Sequence, residues 1–322
     1  MMEQNDSALL VDPDRDRARN LQLLCESVGL SCQLCPDGES ALAAIQQSSS
    51  TSVLLTQLTL PMVDAFEVIA QFRSRFPTGS GARVIALSSF ADLRDTAMAH
   101  RDALGIDHIL NNQVPTELIK RILLSAAPQV PLDAHAVVGA DPANRQRELE
   151  VQRRRIIAQK GLDRMPLRPP DEELQKFVQQ VAARCQTPIA LMTLAVDDRL
   201  VFPARYGIDA TEIDRYSSLC GKVIEAGEPL FVPDATLNPA FHGNALVQAG
   251  VIRGYASAPV CVARGLAVGT LCLINSSEAM RLGAEQVRSL RSAAVSLGSL
   301  LDEKQGDEEP TGLAAAVQPF SR

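Results

Sequence analysis

Tryptophan is absent from the 322 residues and only three tyrosines occur, so a platform of rings for stacking nucleic-acid bases is not expected. Basic residues are also in the minority. The 31 Lys and Arg against 38 Asp and Glu give a formal charge of -7 and a pI near 5.2, which argues against a nucleic-acid surface. Long apolar runs are missing too: stretches such as Leu266 to Ile274 fall far short of the roughly 20 residues a bilayer span needs, so no membrane segment is expected. Met1-Met2-Glu3-Gln4-Asn5-Asp6 has neither the basic nor the apolar region of a targeting signal, and a cytoplasmic location is the expectation. Histidine is scarce, with His100, His108, His135 and His242 in separate segments, so neither a metal site nor a cofactor is expected.

Seven cysteines (Cys25, Cys32, Cys35, Cys185, Cys220, Cys261 and Cys272) are scattered through mostly apolar segments. An odd, dispersed set reads as buried thiols in a reducing compartment rather than a disulfide framework. Cys32-Gln33-Leu34-Cys35 spells C-x-x-C, but on a strand residues three apart face opposite sides. What the chain does have is apolar content: 46% hydrophobic residues over this length is enough for two domains, each with its own core.

The first half alternates short apolar strands with amphipathic helices. Ala8 to Val11 is followed by a helical face of Ala18, Leu21, Leu24, Cys25 and Val28, stopped by Gly29. The unit recurs as Cys32 to Cys35 with Glu39 to Gln46, Val53 to Leu55 with Phe66 to Phe72, Val84 to Leu87 with Asp92 to Leu104, and His108 to Leu110 with Thr116 to Ala126. Five such units imply an α/β fold, a flavodoxin-like five-stranded parallel sheet with helices on both faces. Its site would lie at the carboxyl ends of the strands, where Val53 to Leu55 runs into Thr56-Gln57-Leu58-Thr59-Leu60-Pro61.

Residues 7 to about 127 resemble the receiver domain of bacterial two-component response regulators in length, order of elements and signature positions. That family uses two adjacent acids after the first strand and an acceptor aspartate to hold Mg²⁺, a hydroxyl after the fourth strand, and a lysine after the fifth. The corresponding positions here are Asp12, Pro13, Gln57, Ser88 and Asn112, and the proline that usually follows the lysine is Gln113. An amide at the acceptor position is neither a nucleophile for a phosphoryl donor nor a charged metal ligand. The resemblance thus implies a pseudo-receiver with a degenerate phosphoacceptor site at Asp12, Gln57, Ser88 and Asn112. It would present its fourth helix, fifth strand and fifth helix to a partner without switching. Asp12-Pro13 also reads as an N-cap followed by proline at the first helical position, and Ser88-Ser89 as a loop into the next helix.

Domain boundaries follow from composition. Residues 1–127 form the first domain and 128–146, with Pro128, Pro131 and Pro142, a linker. Residues 147–304 form the second domain with its flanking helices, and 305–322 a disordered tail. Between Arg145 and Lys160, five arginines and one lysine stand against Glu148 and Glu150, which reads as a solvated helix face.

The second half begins with acids at a helix start and an apolar face of Leu174, Phe177, Val178, Val181, Ala182 and Cys185. Ile189 to Val196, Leu200 to Tyr206, Leu230 to Val232, Arg253 to Val260 and Leu266 to Ile274 read as strands, giving an α+β domain with a central antiparallel sheet. Ordered stretches, among them Arg205-Tyr206-Gly207-Ile208, Glu228-Pro229-Leu230-Phe231-Val232-Pro233-Asp234-Ala235, Asn238-Pro239-Ala240-Phe241 and Ile252-Arg253-Gly254-Tyr255, resemble GAF domains over residues 150 to 303. The resemblance implies a candidate pocket at Cys220, Asp234, Phe241, His242, Arg253 and Tyr255, in which Arg253 and His242 would meet a polar or anionic small molecule. The alternative is structural: Asp234 and Asn238 cap turns, Tyr255 and Phe241 fill the core, and Arg253 pairs with an acid. In the last helix, Val287, Leu290, Ala294, Leu297 and Leu301 make a two-heptad seam that packs either on its own sheet or in a homodimer.

The expectation from sequence is a bacterial signal-transduction protein, not an enzyme, acting by protein-protein interaction. Its partner would be a histidine kinase, a diguanylate cyclase or another regulator, with the GAF domain sensing a ligand or holding a dimer.

Overall fold

The computed structural model describes residues 7–125, 142–167, 171–262 and 265–303. Residues 128–141 of the expected linker and the expected tail at 305–322 lie outside this set. The last five residues of that linker, 142–146, belong to a helix.

The first half is a five-stranded parallel sheet in the order β2-β1-β3-β4-β5. Its strands are β1 (Ser7–Val11), β2 (Ser31–Cys35), β3 (Val53–Gln57), β4 (Arg83–Leu87) and β5 (His108–Leu110). This order reverses next to β1, the arrangement of flavodoxin-like sheets, whose ligands sit at the carboxyl ends around β1 and β3. Every residue of the central β3 is buried. Side chains alternate across the sheet. Leu10, Leu55, Ile85 and Leu87 face α1 (Arg15–Ser27) and α6 (Thr116–Leu124). Leu9, Val11, Leu54, Val84 and Ala86 face α2 (Gly38–Gln47), α3 (Ala65–Arg75) and α4 (Ala91–Ala99). Cys35 and Cys32 fall in the two opposite clusters.

Two local expectations are corrected. The segment expected as one helix from Asp92 to Leu104 breaks at His100 into α4 and a single turn, α5 (Arg101–Leu104), ended by Gly105 in the left-handed region at φ 61°. Asp12 is not the N-cap of α1. Asp14 is, accepting from the amides of Asp16 and Arg17, which frees the Asp12 carboxylate for other partners.

The second half starts with α7 (Pro142–Gln159) and a 3-10 helix at Leu162–Leu167, then α8 (Glu172–Cys185). A six-stranded antiparallel sheet follows in the order β8-β7-β6-β11-β10-β9. It is built from β6 (Ile189–Val196), β7 (Arg199–Tyr206), β8 (Glu212–Asp214), β9 (Leu230–Val232), β10 (Gly254–Val262) and β11 (Leu266–Asn275). Helices α9 (Leu219–Ala226) and α10 (Ala245–Gln248) lie between strands, and α11 (Ala284–Glu303) closes the domain. The α9 side chain Cys220 touches Cys272 of β11, so α9 covers that face, while α8 and α11 pack together on the other. The seam residues Val287, Leu290, Ala294, Leu297 and Leu301 are all buried within the chain. Gly298 brings α11 so close to β10 that an added Cβ would lie 2.1 Å from the Cys261 carbonyl oxygen. Of the two arrangements open to this seam, the structure has the first: its apolar side packs on the chain's own sheet.

The basic stretch of α7 is corrected at one residue: Arg145, Arg147, Arg154 and Arg155 are exposed, as a solvated face requires, but Arg153 is not. Arg153, expected on a solvated face, is 2% exposed. Its guanidinium donates to the carbonyl of Ala267 at 2.7 Å and that of Ile224 at 3.4 Å, and pairs with Glu150. Among the described residues no helix is long and apolar enough to cross a membrane.

Candidate functional site

Asp12, Gln57 and Asn112 converge at the carboxyl end of the parallel sheet. Gln57, at the last position of β3, has no exposed surface. Its Nε2 donates to Asp12 Oδ2 at 3.2 Å and its Oε1 accepts from Asn112 Nδ2 at 3.1 Å. Asp12 is held further by Arg17, whose Nε and Nη2 donate to its two oxygens at 2.7 and 3.0 Å, and by the amide of Asp14 at 2.8 Å. Burial pushes the Asp12 carboxyl up despite the hydrogen bond and charge of Arg17. The same pairing works the other way on Arg17: burial opposes its charge, yet the bonds to Asp12 and the charges of Asp12 and Glu228 keep the guanidinium above its ordinary value.

Ser88, the fourth expected member, is buried, and its Oγ accepts from the amide of Phe90 at 3.1 Å. Its neighbour Ser89 is the hydroxyl that faces the site. Sequence reasoning also missed Arg17 and Glu228. Glu228 comes from the second half, on the turn between α9 and β9. Its Oε1 accepts from Ser89 Oγ at 2.7 Å, and its Oε2 from Arg17 Nη1 and Asn112 Nδ2, each at 2.9 Å. No local pattern marks a lone acid for such a contact 211 residues from its partner Arg17. The oxygen of the Asn112 side chain is buried without a donor.

Around this centre the halves join through further polar contacts. Thr59 Oγ1 accepts from the Phe231 amide at 2.7 Å and donates to the Phe231 carbonyl at 3.1 Å. Asn238 Nδ2 donates to Asp64 Oδ2 at 2.6 Å, Lys222 pairs with Asp92, and Arg291 pairs with Asp14. Burial pushes the Asp64 carboxyl up. Leu58, Leu60 and Phe90, on the loops at this end of the sheet, are buried in an apolar cluster that continues into the second half.

The six candidate pocket residues do not converge. Cys220 and Tyr255 meet in the core: Tyr255 Oη donates to Cys220 Sγ at 3.1 Å, and Cys220 Sγ lies 2.8 Å from Cys272 Sγ. Thr270 Oγ1 is also 2.8 Å from Cys272 Sγ and from Thr193 Oγ1, so a buried polar seam runs under α9. The Cys272 sulfur and burial both push the Cys220 thiol up. Phe241 and Tyr255 are 2% and 1% exposed and fill the space over the sheet. Asp234 and Arg253 pair at 3.0 Å, and Asp234 Oδ1 accepts from the Thr236 amide. Burial raises the Asp234 carboxyl, but the bonds from Thr236 and Arg253 outweigh it and hold it below its ordinary value. His242 is exposed, its Nδ1 3.0 Å from the Pro239 carbonyl oxygen. Among the described residues no three His, Cys, Asp or Glu side chains are grouped to hold a metal ion.

A family model described as GAF domain matches residues 169–301. That segment is a GAF domain. Among curated proteins, a cyclic di-GMP phosphodiesterase of Pseudomonas aeruginosa is 33% identical over 147 residues, 44% of this chain. The match spans a quarter of that relative's length. Solved structures similar to parts of the chain include a response regulator receiver domain protein from Clostridium thermocellum, at 18% identity and TM-score 0.34, covering 38% of this chain and 93% of that one. They also include a GAF domain of A. aeolicus in an inactive state, at 15% identity and TM-score 0.32, covering 49% of this chain and 96% of that one. The similarity to a phosphodiesterase overturns the expectation that the protein is not an enzyme. A GAF domain preceded by a five-stranded parallel sheet of this order fits a signalling protein.

Proposed function

We propose that this chain controls the turnover of cyclic di-GMP, with the GAF domain as its regulatory element and the receiver-like half as a docking module rather than a phosphotransfer unit. The observation that carries the reading is the 33% identity over 147 residues to a cyclic di-GMP phosphodiesterase, in a chain whose GAF domain is matched at residues 169–301. The docking role is supported by Gln57, whose amide is committed to Asp12 and Asn112 and offers no nucleophile to a phosphoryl donor. In this reading the partners are signalling enzymes, a diguanylate cyclase or histidine kinase among them. The chain pairs with a second copy through a face other than the buried seam of α11. The filled space around Phe241 and Tyr255 favours regulation through protein contacts over a resident small molecule.

The test is to delete the gene, restore it, and measure cellular cyclic di-GMP, while assaying hydrolysis of cyclic di-GMP by the purified full chain alone and with the cyclases and phosphodiesterases of the same cell. The expected result is a change in the cellular pool that restoration reverses, together with altered hydrolysis or synthesis in the assay. An unchanged pool and unchanged rates would overturn the proposal.

A further inference from the structure

Glu228 sits where three donors from three separate elements of the receiver-like half meet: Arg17 on α1, Ser89 on the loop after β4, and Asn112 on the loop after β5. Both carboxylate oxygens are used. Hydrogen bonds of this kind to an ionised acceptor are about twice as strong as neutral ones. We propose that Arg17, Ser89 and Asn112 form an oxyanion-binding site, and that Glu228 is its tethered occupant, latching the GAF domain onto the receiver-like half.

The site is built on both sides. Gln57 takes one N–H of the Asn112 amide and so aims the other at Glu228. The Arg17 guanidinium is oriented by two bonds to Asp12, leaving Nη1 for Glu228. On the GAF side, Gly227 ends α9 in the left-handed region at φ 67° and Pro229 follows Glu228, fixing the backbone that presents the carboxylate. β9 begins directly afterwards.

The charges around the latch fix its register. In the three outer contacts, Lys222 with Asp92, Arg291 with Asp14, and Asn238 with Asp64, the receiver-like half supplies the acid and the GAF domain the donor. At the centre the polarity reverses, because there the GAF domain supplies the acid. A shifted docking would oppose like groups, which is how complementary charge specifies one arrangement among several. Because the occupant is a carboxylate held by a cation, an amide and a hydroxyl, the free ligand class able to compete with it is a small oxyanion such as phosphate. As Glu228 lies between α9 and β9, a shift of α9 on the GAF sheet would withdraw it.

The experiment compares the full-length wild type with E228A, E228Q and the double variant R17M/E228A. Amide hydrogen exchange is read at residues 228–232 and 88–90, and thermal unfolding with and without inorganic phosphate at matched ionic strength. E228A is expected to exchange on the order of tenfold faster at both segments, the loss anticipated for a charge-assisted contact. It should also gain a phosphate-dependent rise in melting temperature that wild type and R17M/E228A lack. E228Q, which keeps the shape and one acceptor, should fall between wild type and E228A. Wild-type exchange in E228A, or an equal phosphate effect in wild type and E228A, would overturn the proposal. If E228A does not fold, exchange in E228Q equal to wild type has the same meaning.

Discussion

Arg215 and Glu150 meet through two parallel hydrogen bonds, Nη1 to Oε1 at 2.9 Å and Nη2 to Oε2 at 2.7 Å, across 65 residues of chain. This fork ties α7 to the loop that precedes α9. The Arg215 side chain is 2% exposed, the same as Arg153, which shares the carboxylate. Removing one partner of such a cluster leaves buried cations without their counter-charge. Glu150→Gln is therefore expected to destabilise the full chain by about 3 kcal/mol at neutral pH, at the lower end of the range for buried pairs because Glu150 keeps some exposure. Urea unfolding of the two proteins measures it, and a difference near zero would show that the arginines are satisfied by carbonyls alone.

The same pair makes the fold acid-sensitive. Burial raises the Glu150 carboxyl, but the hydrogen bond and charge of Arg215, with the charge of Arg153, bring it down from 4.5 to about 2. A carboxyl lowered in the folded state stabilises above its unfolded value, and that contribution is lost as pH falls from about 4.5 through about 2. Unfolding midpoints followed from neutral pH into this window should drop more steeply for wild type than for Glu150→Gln. Parallel curves would mean that Glu150 does not carry the dependence.

Gly298→Ala tests the packing of α11. The added methyl would stand 2.1 Å from the Cys261 carbonyl oxygen, so α11 must move away from β10, at a cost of about 1–3 kcal/mol for an overpacked contact. Ser296→Ala, on the exposed side of the same helix, serves as the control and should be close to neutral. Equal denaturation midpoints for the two variants would contradict the close approach.

Restoring an acid at the end of β3 should harm the protein. Gln57→Asp places a second buried carboxylate beside Asp12 and removes both the donor to Asp12 and the acceptor for Asn112. Like charges and unpaired polar groups in the interior each cost on the order of 1–3 kcal/mol. A lower melting temperature is expected, and a variant as stable as wild type would show that water or rearranged partners compensate.

The thiols of Cys220 and Cys272 should be inert in the native protein. Both are buried. The sulfur of Cys272 with burial pushes the Cys220 thiol up. On Cys272 burial is outweighed by the hydrogen bonds from Cys220, Ser257, Thr270 and Tyr255, which lower its thiol, so its protection rests on having no exposed surface under α9. Cys35 behaves like Cys220, pushed up to about 11 by burial. Since the thiolate is the reactive form, alkylation followed by peptide mass spectrometry should label these three only after denaturation. Fast native labelling at Cys220 would reveal an opening of α9.

The elements that the sequence announced are those whose signal is local. Five apolar strands with amphipathic helices between them state their own order, and β6, β7, β10 and β11 were recognisable from runs of eight to ten residues. β8 is three residues long, with Ile213 half-buried and acids on either side, so it carries no alternation to read. Arg153 was misplaced because a count of charges along α7 cannot distinguish an arginine facing water from one reaching two carbonyls under the helix. The site at the sheet end was half visible. Asp12, Gln57 and Asn112 follow from position in a recognised pattern, whereas Ser89 lies one residue from the expected hydroxyl. Glu228 is brought in by docking, which no periodicity records.

Thr59 has a consequence for how the protein can be handled. β9 is an outer strand of the antiparallel sheet, and on the side away from β10 the Phe231 backbone finds both its donor and its acceptor in the Thr59 hydroxyl. An unpaired strand edge is a template for other chains. Cutting the molecule between its halves would strip that cover, so a GAF fragment prepared alone is expected to self-associate along β9. Dimers seen with such a fragment would then be a product of the cut rather than a property of the whole protein.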